Sequence, residues 1–555
     1  MKNSTCSEVL IVGAGPIGLS TAIMLTMQGT KCRIIDKDDR DPGKQYFSRA
    51  LGLHARTLEI FADIGVIKDC MIKGRIINGL GFYFDGHKAA SISFRHLPSG
   101  YPFMLSLPQC DTESILEQRL NQLGVFVTRS TELLDLNQNQ DYVTATIKNA
   151  SEQTIKENFA YVVGADGFHS KVRKLCAIPF DGAQYEESWL LAETYLSRDF
   201  PSDEANVIIS NNSNLAVVPM PDGKIRVTGP DTSSKRDIND VDLSVFNAAL
   251  KEMGTLENIE YREPEQVTRF RVHRRLARSY RKNRVFLVGD AAHVHSPGGG
   301  QGLNTGMLDA YNLAWRLSLA TNAKASVNIL DGYNTERRRA GEITVFGTDK
   351  ALQLLNAANS PIKKSVRNLM LPLVLKSSYG DRLAANMSQI FTNYRHCFQQ
   401  EEKDYFNCSL ALGDPLPRVV PPIDVAGDPL NLRPNGKFTV IFFCSNLSQQ
   451  SILRELKKLR GLPVVKAGLC RTAIVTQQPG VTINSKDELT ISDTASYVHS
   501  AFGMNEAGFY IARPDSFINS RMKTEDIAFH AGNYFADLFG LPEKAQQSSS
   551  HKKAA

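Results

Sequence analysis

The first residues with the types and spacing for chemistry are Gly13-Ala-Gly15-Pro-Ile-Gly18. They follow a short apolar segment at 9–12 and open an apolar stretch at 17–28 that stops at Gly29. Gly13 permits a tight turn, Gly15 lets backbone approach a pyrophosphate, and Gly18 lets helix and strand pack closely. The free N–H groups of the helix N-terminus point at the phosphates. Asp36 ends the next apolar segment, 23 residues after Gly13, where an acid holds a ribose hydroxyl. Strand, glycine turn, helix and acid together imply dinucleotide binding. The fingerprint occurs once, so a second nucleotide has no such fold of its own.

A second stretch, Gly289-Asp290-Ala-Ala-His293-Val-His295-Ser-Pro297-Gly298-Gly299-Gly300-Gln301-Gly302-Leu303-Asn304, follows an apolar segment at 285–288. It resembles the GDAAH…P…GxGxN element of the class A flavoprotein monooxygenases, the aromatic hydroxylase family. The resemblance implies FAD, with Asp290 on the ribityl chain. It also implies that the loop from Pro297 through Gly300, Gly302 and Leu303 to Asn304 lies along the pyrimidine edge of the flavin. A helix starting near Leu303 would aim its partial positive end at the charge of the reduced ring. His293 and His295 form an HxH pair, but no Cys, Asp or Glu with ligand spacing accompanies them. They read as loop and packing residues, with no metal.

A third stretch, Asp166-Gly167-Phe-His-Ser170-Lys-Val-Arg173, is similar to the family's DGxxSxVR element. That element implies that Asp166 and Arg173 support the FAD site and a groove for the nicotinamide nucleotide. Arg49-Ala-Leu-Gly-Leu-His-Ala-Arg-Thr-Leu-Glu resembles the family's RAxxLxxRTLE loop, which makes Arg49 a flavin contact with a role in moving the ring. Gln109 resembles a glutamine on the ribityl part. His273, in Phe270-Arg-Val-His273-Arg-Arg, belongs to a stretch that reaches the substrate cavity in the family, where an imidazole could bind a phenolate. Arg49, Pro297 and His273 are therefore the expected catalytic residues. Phenol hydroxylases of the family carry Asp two positions after this Arg; here that position is Leu51, and no general base is named.

The resemblance implies an NAD(P)H-using FAD monooxygenase that hydroxylates a phenolic or polycyclic aromatic substrate. NADPH or NADH reduces FAD, O2 adds at flavin C4a, and the hydroperoxide delivers one oxygen atom. The protein positions the ring and excludes water. Three other readings share the scaffold: a flavin oxidase or dehydrogenase without oxygen insertion, a Baeyer–Villiger-type oxygenase, and an FAD-binding protein without turnover. Halogenases of the same fold carry a WxWxIP signature that is absent here, where the tryptophans are Trp189 and Trp315.

These residues need elements to position them. The expected fold class is α/β: a Rossmann-type FAD-binding domain, an inserted mixed β-sheet substrate domain, and a C-terminal thioredoxin-like α/β domain. FAD-binding parts are assigned to 1–78 and 105–185, with a third part plus a helical region at 280–410. The substrate sheet is assigned to 79–104 and 186–279, with a hairpin at Asp85-Gly86 and a helical insert near 243–253. A stiff linker at 411–436 holds six of the chain's 24 prolines, the thioredoxin-like domain covers 437–541, and 542–555 reads as a disordered tail. The terminal domain's β-α-β then β-β-α order and its Arg513-Pro-Asp515…Arg521 pattern carry that likeness. Its dithiol position reads Cys444-Ser-Asn-Leu447, which leaves a single thiol, so a structural role and a homodimer interface are expected.

Composition agrees with a folded enzyme. Of 555 residues, 42% are hydrophobic and 22% charged, which excludes a disordered chain or fibre. No apolar run approaches the about 18 residues of a membrane span. The net charge of +6 comes with no long basic block, so nucleic acid is not an expected partner. Nine cysteines without any CxxC, and a start without signal-peptide layout, point to the cytoplasm.

Overall fold

The computed structural model describes residues 8–39, 50–84, 87–195, 203–209, 214–230, 266–295, 298–322, 325–356, 370, 372–398, 410–417, 432, 436–478 and 488–540. The chain forms two compact units. The first holds residues up to Leu317 together with Tyr333–Thr392; the second holds Ser318–Gly332 and everything from Asn393 onward.

The first unit is built on a six-stranded sheet in the order Arg281–Lys282, Val285–Leu287, Tyr161–Gly164, Val9–Val12, Cys32–Ile35, Val127–Thr128. Val9–Val12 pairs in parallel with Cys32–Ile35 on one side and Tyr161–Gly164 on the other. All four of its side chains are buried, which is why it reads as an unbroken apolar run. The helix Pro16–Met27 starts with Pro at its first turn and is followed by Gly29 at φ 78°. The strand ends of this sheet bring Gly13, Ala165 and Gly289 together.

An eight-stranded mixed sheet adjoins it, ordered His293–Val294, Gln266–Ala277, Phe180–Tyr195, Lys224–Pro230, Asn214–Pro219, Glu204–Ile209, Gly79–Phe84, His87–Ser93. It draws on both segments assigned to a substrate sheet. Its longest strand begins at Phe180, earlier than 186, and crosses an irregularity between Gln184 and Ser188. Gly79–Phe84 and His87–Ser93 pair antiparallel, as a hairpin at 85–86 requires; the turn residues themselves, and the helical insert near 243–253, lie outside the described residues. A small sheet joins Gly52–Leu53, Met104–Ser106 and Arg75–Ile77, and beside it the Gln109 N–H donates to the Ala50 carbonyl at 3.1 Å. A three-stranded sheet at Glu132–Gln138, Val143–Lys148 and Thr154–Phe159 has no counterpart in the sequence reading. Only Val143, Ala145 and Ile147 of its central strand face inward, so its apolar signal is half-strength.

The second unit carries a five-stranded sheet, ordered Glu488–Ser492, Cys470–Thr476, Phe438–Phe443, Gly508–Ala512, Ile518–Lys523. Phe438–Phe443 is buried along its length and pairs parallel to Cys470–Thr476 and antiparallel to Gly508–Ala512. The helix Gln449–Gly461 buries Ile452, Leu456 and Leu459, and Ile527–Phe539 buries Ile527, Ala531 and Phe535. Arg513 and Asp515 form a buried two-bond ion pair at 2.9 and 2.7 Å beside the rings of Tyr394 and Phe517. The unit takes in Ser318–Gly332 and residues 393–397, both inside the segment assigned at 280–410; most of 411–436 and all of 542–555 lie outside the described residues.

Candidate functional site

The glycine fingerprint divides into two that fill space and one that leaves it. Gly13 stands at φ 103°, and a Cβ there would lie 2.4 Å from the Ala165 carbonyl oxygen. A Cβ on Gly18 would lie 2.0 Å from the carbonyl oxygen of Gly13. Gly15 is different: a Cβ there would meet nothing within 4 Å. That open face lies over the N-terminus of Pro16–Met27, whose cap residue Gly15 offers no side-chain bond and whose first turn holds no acid. The leading amides lack a side-chain partner, and an anion satisfies them. A pyrophosphate fits this cradle. Asp36 is half-buried and braces the same turn: Oδ2 accepts from the Ala14 N–H at 2.6 Å and Oδ1 from Asp38 N–H at 2.9 Å.

The second motif meets the first through more glycines. Gly289, at φ 59°, would place a Cβ 3.1 Å from the Ile17 side chain. A Cβ on Gly306 would reach Gly289 Cα and Ile17 at 3.0 Å. Thus the helices Pro16–Met27 and Gln301–Asn322 close on the short turn Gly289–Ala291, where Asp290 is exposed. The glycine loop runs into a single turn at Gly298–Gly300 and then the helix from Gln301, which starts before the expected Leu303–Asn304. Positive φ at Gly299 and Gly300 explains the turn. A Cβ on Gly300 would meet nothing within 4 Å, and one on Gly302 only a His295 ring nitrogen at 3.9 Å. Leu303 is half-buried beside them.

Asn304 is a hub, not a free ligand. Its Oδ1 accepts from the His54 N–H at 2.8 Å and from Thr57 Oγ1 at 2.7 Å. Its Nδ2 donates to the carbonyls of Gly52 at 2.9 Å and Gly300 at 2.7 Å. Every hydrogen-bonding position of the amide is thereby used by the protein, so the side chain of Asn304 holds the loop together and has no position left for a ligand. His54 adds a second tie: its Nε2 lies 2.8 Å from the Gly299 carbonyl oxygen, which makes Nε2 the protonated nitrogen. Burial pushes His54 below the usual imidazole value, against the pull of that carbonyl. Gln109 accepts from the Ala50 N–H at 3.1 Å and donates to Glu113 at 2.8 Å, so it steadies the chain next to Arg49.

A family profile described as an FAD binding domain matches residues 6–347. The chain belongs to that family. Pentachlorophenol 4-monooxygenase of Sphingobium chlorophenolicum is 30% identical over 528 residues, 93% of this chain and 94% of that one. A 6-methylpretetramide 4-monooxygenase of Streptomyces rimosus is 35% identical over 397 residues, 70% of each. A solved structure of aklavinone-11 hydroxylase with FAD and aklavinone superimposes with a TM-score of 0.75 at 21% identity, over 97% of this chain and 100% of that one, a likeness of fold. The resemblance to class A flavoprotein monooxygenases holds, and the chain is an FAD-dependent monooxygenase.

In this monooxygenase the third motif sits under the cradle. Asp166 accepts from Ser170 Oγ at 2.6 Å and from the N–H groups of Lys171 and Val172 at 2.6 and 3.0 Å. Ser170, the N-cap of the helix Lys171–Leu175, accepts from the Arg173 N–H at 3.0 Å, so the two residues share the first amides of that helix. Arg173 is buried and donates to the carbonyls of Ala291 at 2.9 Å and Phe168 at 2.8 Å. It therefore links this motif to the turn that bears Asp290. Both residues act on the site through protein partners.

His273 lies in a cavity of about 470 Å³ lined by Arg173, Lys174, Arg275, His169 and the rings of Phe168 and Phe180. Its ring stacks on Phe168 at 4.5 Å. Partial burial, then the charges of Arg275, His169 and Arg271, push it below the usual imidazole value. The lining holds no carboxylate. Leu51, which stands where the resemblance implied an acid in phenol hydroxylases, is buried. His293 is buried, with its Nε2 2.7 Å from Asp309 Oδ2. Among the described residues no His, Cys, Asp and Glu group is arranged for a metal, and no helix is long and apolar enough to cross a membrane. Arg49 and Pro297 lie outside the described residues. His54, Thr57, Asp309 and Arg337 were missed by sequence reasoning, because their roles depend on contacts between segments far apart in the chain.

Proposed function

We propose that this monooxygenase takes electrons from NADPH or NADH and hydroxylates a phenolic or polycyclic aromatic substrate. The observation that carries the reading is the similarity to a pentachlorophenol monooxygenase along 93% of the chain. Bound FAD supplies electron transfer and oxygen activation. The chain's own residues do the rest. Gly15 and the amides of the first helix take the pyrophosphate, Asp36 the ribose, and Asp290 the ribityl hydroxyls. The amides from Gly300 to Asn304 would hold the ring, with Arg49, Pro297 and Gln109 completing the site. The helix Gln301–Asn322 would offer its positive end to charge on the reduced ring.

The cationic cavity around Lys174, His169, His273 and Arg275 suits the phosphates of a nicotinamide nucleotide, with Phe168 offering a ring to stack on. On this reading His273 serves the co-substrate and not the aromatic substrate. The eight-stranded sheet covers the aromatic substrate. With apolar Leu51 in place of an acid, a substrate whose hydroxyl ionises without help suits the site. The terminal sheet, three parallel strands extended by two antiparallel ones, supports a thioredoxin-like domain without redox function that assists a homodimer. Incubation with candidate phenols, NADPH and isotopically labelled O2 tests the reading. Label in a hydroxylated product supports it; peroxide with unlabelled products for every phenol overturns it.

A further inference from the structure

Two buried ion pairs join the helices Gln301–Asn322 and Asp331–Asn356. One, Arg316–Glu336 at 2.8 Å, is remote in sequence from the glycine loop. The other reaches the site. Asp309 is fully buried, and its Oδ2 accepts from the Gly289 N–H at 3.0 Å and from His293 Nε2 at 2.7 Å. Its Oδ1 accepts from Arg337 Nε at 2.8 Å, while Arg337 Nη2 donates to the Thr305 carbonyl at 3.0 Å. Burial works against the charge on Asp309, but His293 and Arg337 outweigh it and hold the carboxyl below its usual value. His293 Nδ1 is buried without a partner, so Nε2 is the ring nitrogen that meets the carboxylate.

The turn Gly289–Ala291 needs such an anchor. It holds only three residues, starts in the left-handed region at Gly289, and leaves Asp290 exposed. From beneath, the Tyr333 hydroxyl donates to the Leu287 carbonyl at 2.6 Å and fixes the strand just before it. We propose that Asp309, held by Arg337 and His293, is a positioning residue for FAD: it fixes the Gly289 amide and so aims the Asp290 carboxylate. The proposal rests on the assignment of Asp290 to the ribityl chain.

The test is titration of apoprotein, prepared from the holoenzyme, with FAD, read by flavin fluorescence, alongside the melting temperature. Asp309→Asn keeps size but sets an NH2 group against one of the donors; FAD Kd should rise about tenfold or more. Glu336→Gln breaks the comparable pair on the same helices and should lower the melting temperature while leaving Kd within about twofold. If Asp309→Asn leaves Kd within twofold, or Glu336→Gln raises it as much, the positioning role is wrong. The double variant with Asp290→Asn should bind FAD like Asp290→Asn alone; additive losses would also overturn the proposal. Asp290→Asn binding FAD like the parent would instead sink the ribityl assignment, a result separate from that of Asp309→Asn. Arg337→Lys, which keeps the charge but loses the fork, carries the same thresholds should Asp309→Asn not fold.

Discussion

Gly15 and Gly18 belong to one fingerprint, yet the fold needs them for opposite reasons. A methyl on Gly18 would sit 2.0 Å from the Gly13 carbonyl oxygen, so Gly18→Ala forces backbone apart. It should destabilise the apoprotein by about 1–3 kcal/mol or more, read as a lower melting temperature. A methyl on Gly15 meets no protein atom, and its φ of −72° suits any residue. Gly15→Ala should leave the apoprotein at least as stable, yet weaken FAD at least tenfold, because the methyl occupies the cradle. Equal FAD affinity for Gly15→Ala and the parent would refute the cradle. The sequence makes these three glycines legible through spacing alone. It does not show His54, whose ring bonds the carbonyl of a residue 245 positions away. His54 also carries a pH dependence. Its folded pKa is depressed, so the unfolded chain binds the extra proton more readily. Its stabilisation is therefore full above the unfolded value, about 6.5, and declines as pH falls through it. Melting temperatures between pH 8 and 5 should fall less in His54→Gln than in the parent. A parallel fall in both proteins would assign the effect elsewhere.

Elements that announce themselves by buried runs were legible: Val9–Val12, Tyr161–Gly164, Val285–Leu287 and Phe438–Phe443 are buried throughout. The sheet at 132–159 was not, because one face meets water and its strands alternate weakly. The start of Gln301–Asn322 was misplaced because three glycines in a row hide where a helix begins, and positive φ at Gly299 and Gly300 decides it. The strand Phe438–Phe443 leads directly to Cys444, buried and with its thiol pushed up to about 12 by burial. Cys470, on the neighbouring strand, is also pushed up to about 12 by burial. Neither supplies a thiolate at neutral pH, and Leu447 is no resolving partner. The domain should therefore show no disulfide reductase activity, and Cys444 should react with a thiol reagent only on unfolding. Insulin reduction accelerated by the native protein but not by Cys444→Ala would contradict this.

At the scale of the whole chain, residues 6–347 carry the family match, while the second compact unit takes Ser318–Gly332 from within that span together with everything from Asn393 onward. A unit built from two separate segments is not legible in a sequence, because contacts between distant segments, and not composition along the chain, decide where a unit ends. The glycine fingerprint occurs once, so under the proposed function a nicotinamide nucleotide would use a surface outside it, and the cavity of Lys174, His169, His273 and Arg275 is cationic, aromatic and free of acids. Each charge-assisted contact to a phosphate is worth about 1.5–3 kcal/mol, or at least tenfold in affinity. Lys174→Ala and Arg275→Ala should therefore raise the KM for NADPH about tenfold, leave FAD Kd unchanged, and flatten the dependence of KM on salt. Neither side chain touches the glycine cradle, so a loss of FAD would betray misfolding and not the proposed role. A co-substrate that binds away from a permanent nicotinamide fold also makes its encounter with the flavin a gated step, and gating can limit turnover. Anaerobic stopped-flow reduction should accordingly be slow alone and several-fold faster with the right aromatic compound, in the parent and in both variants at saturating NADPH. If the two variants instead lose rate at saturation with an unchanged KM, the cavity serves the aromatic substrate, and His273 returns to the role its sequence neighbourhood first implied.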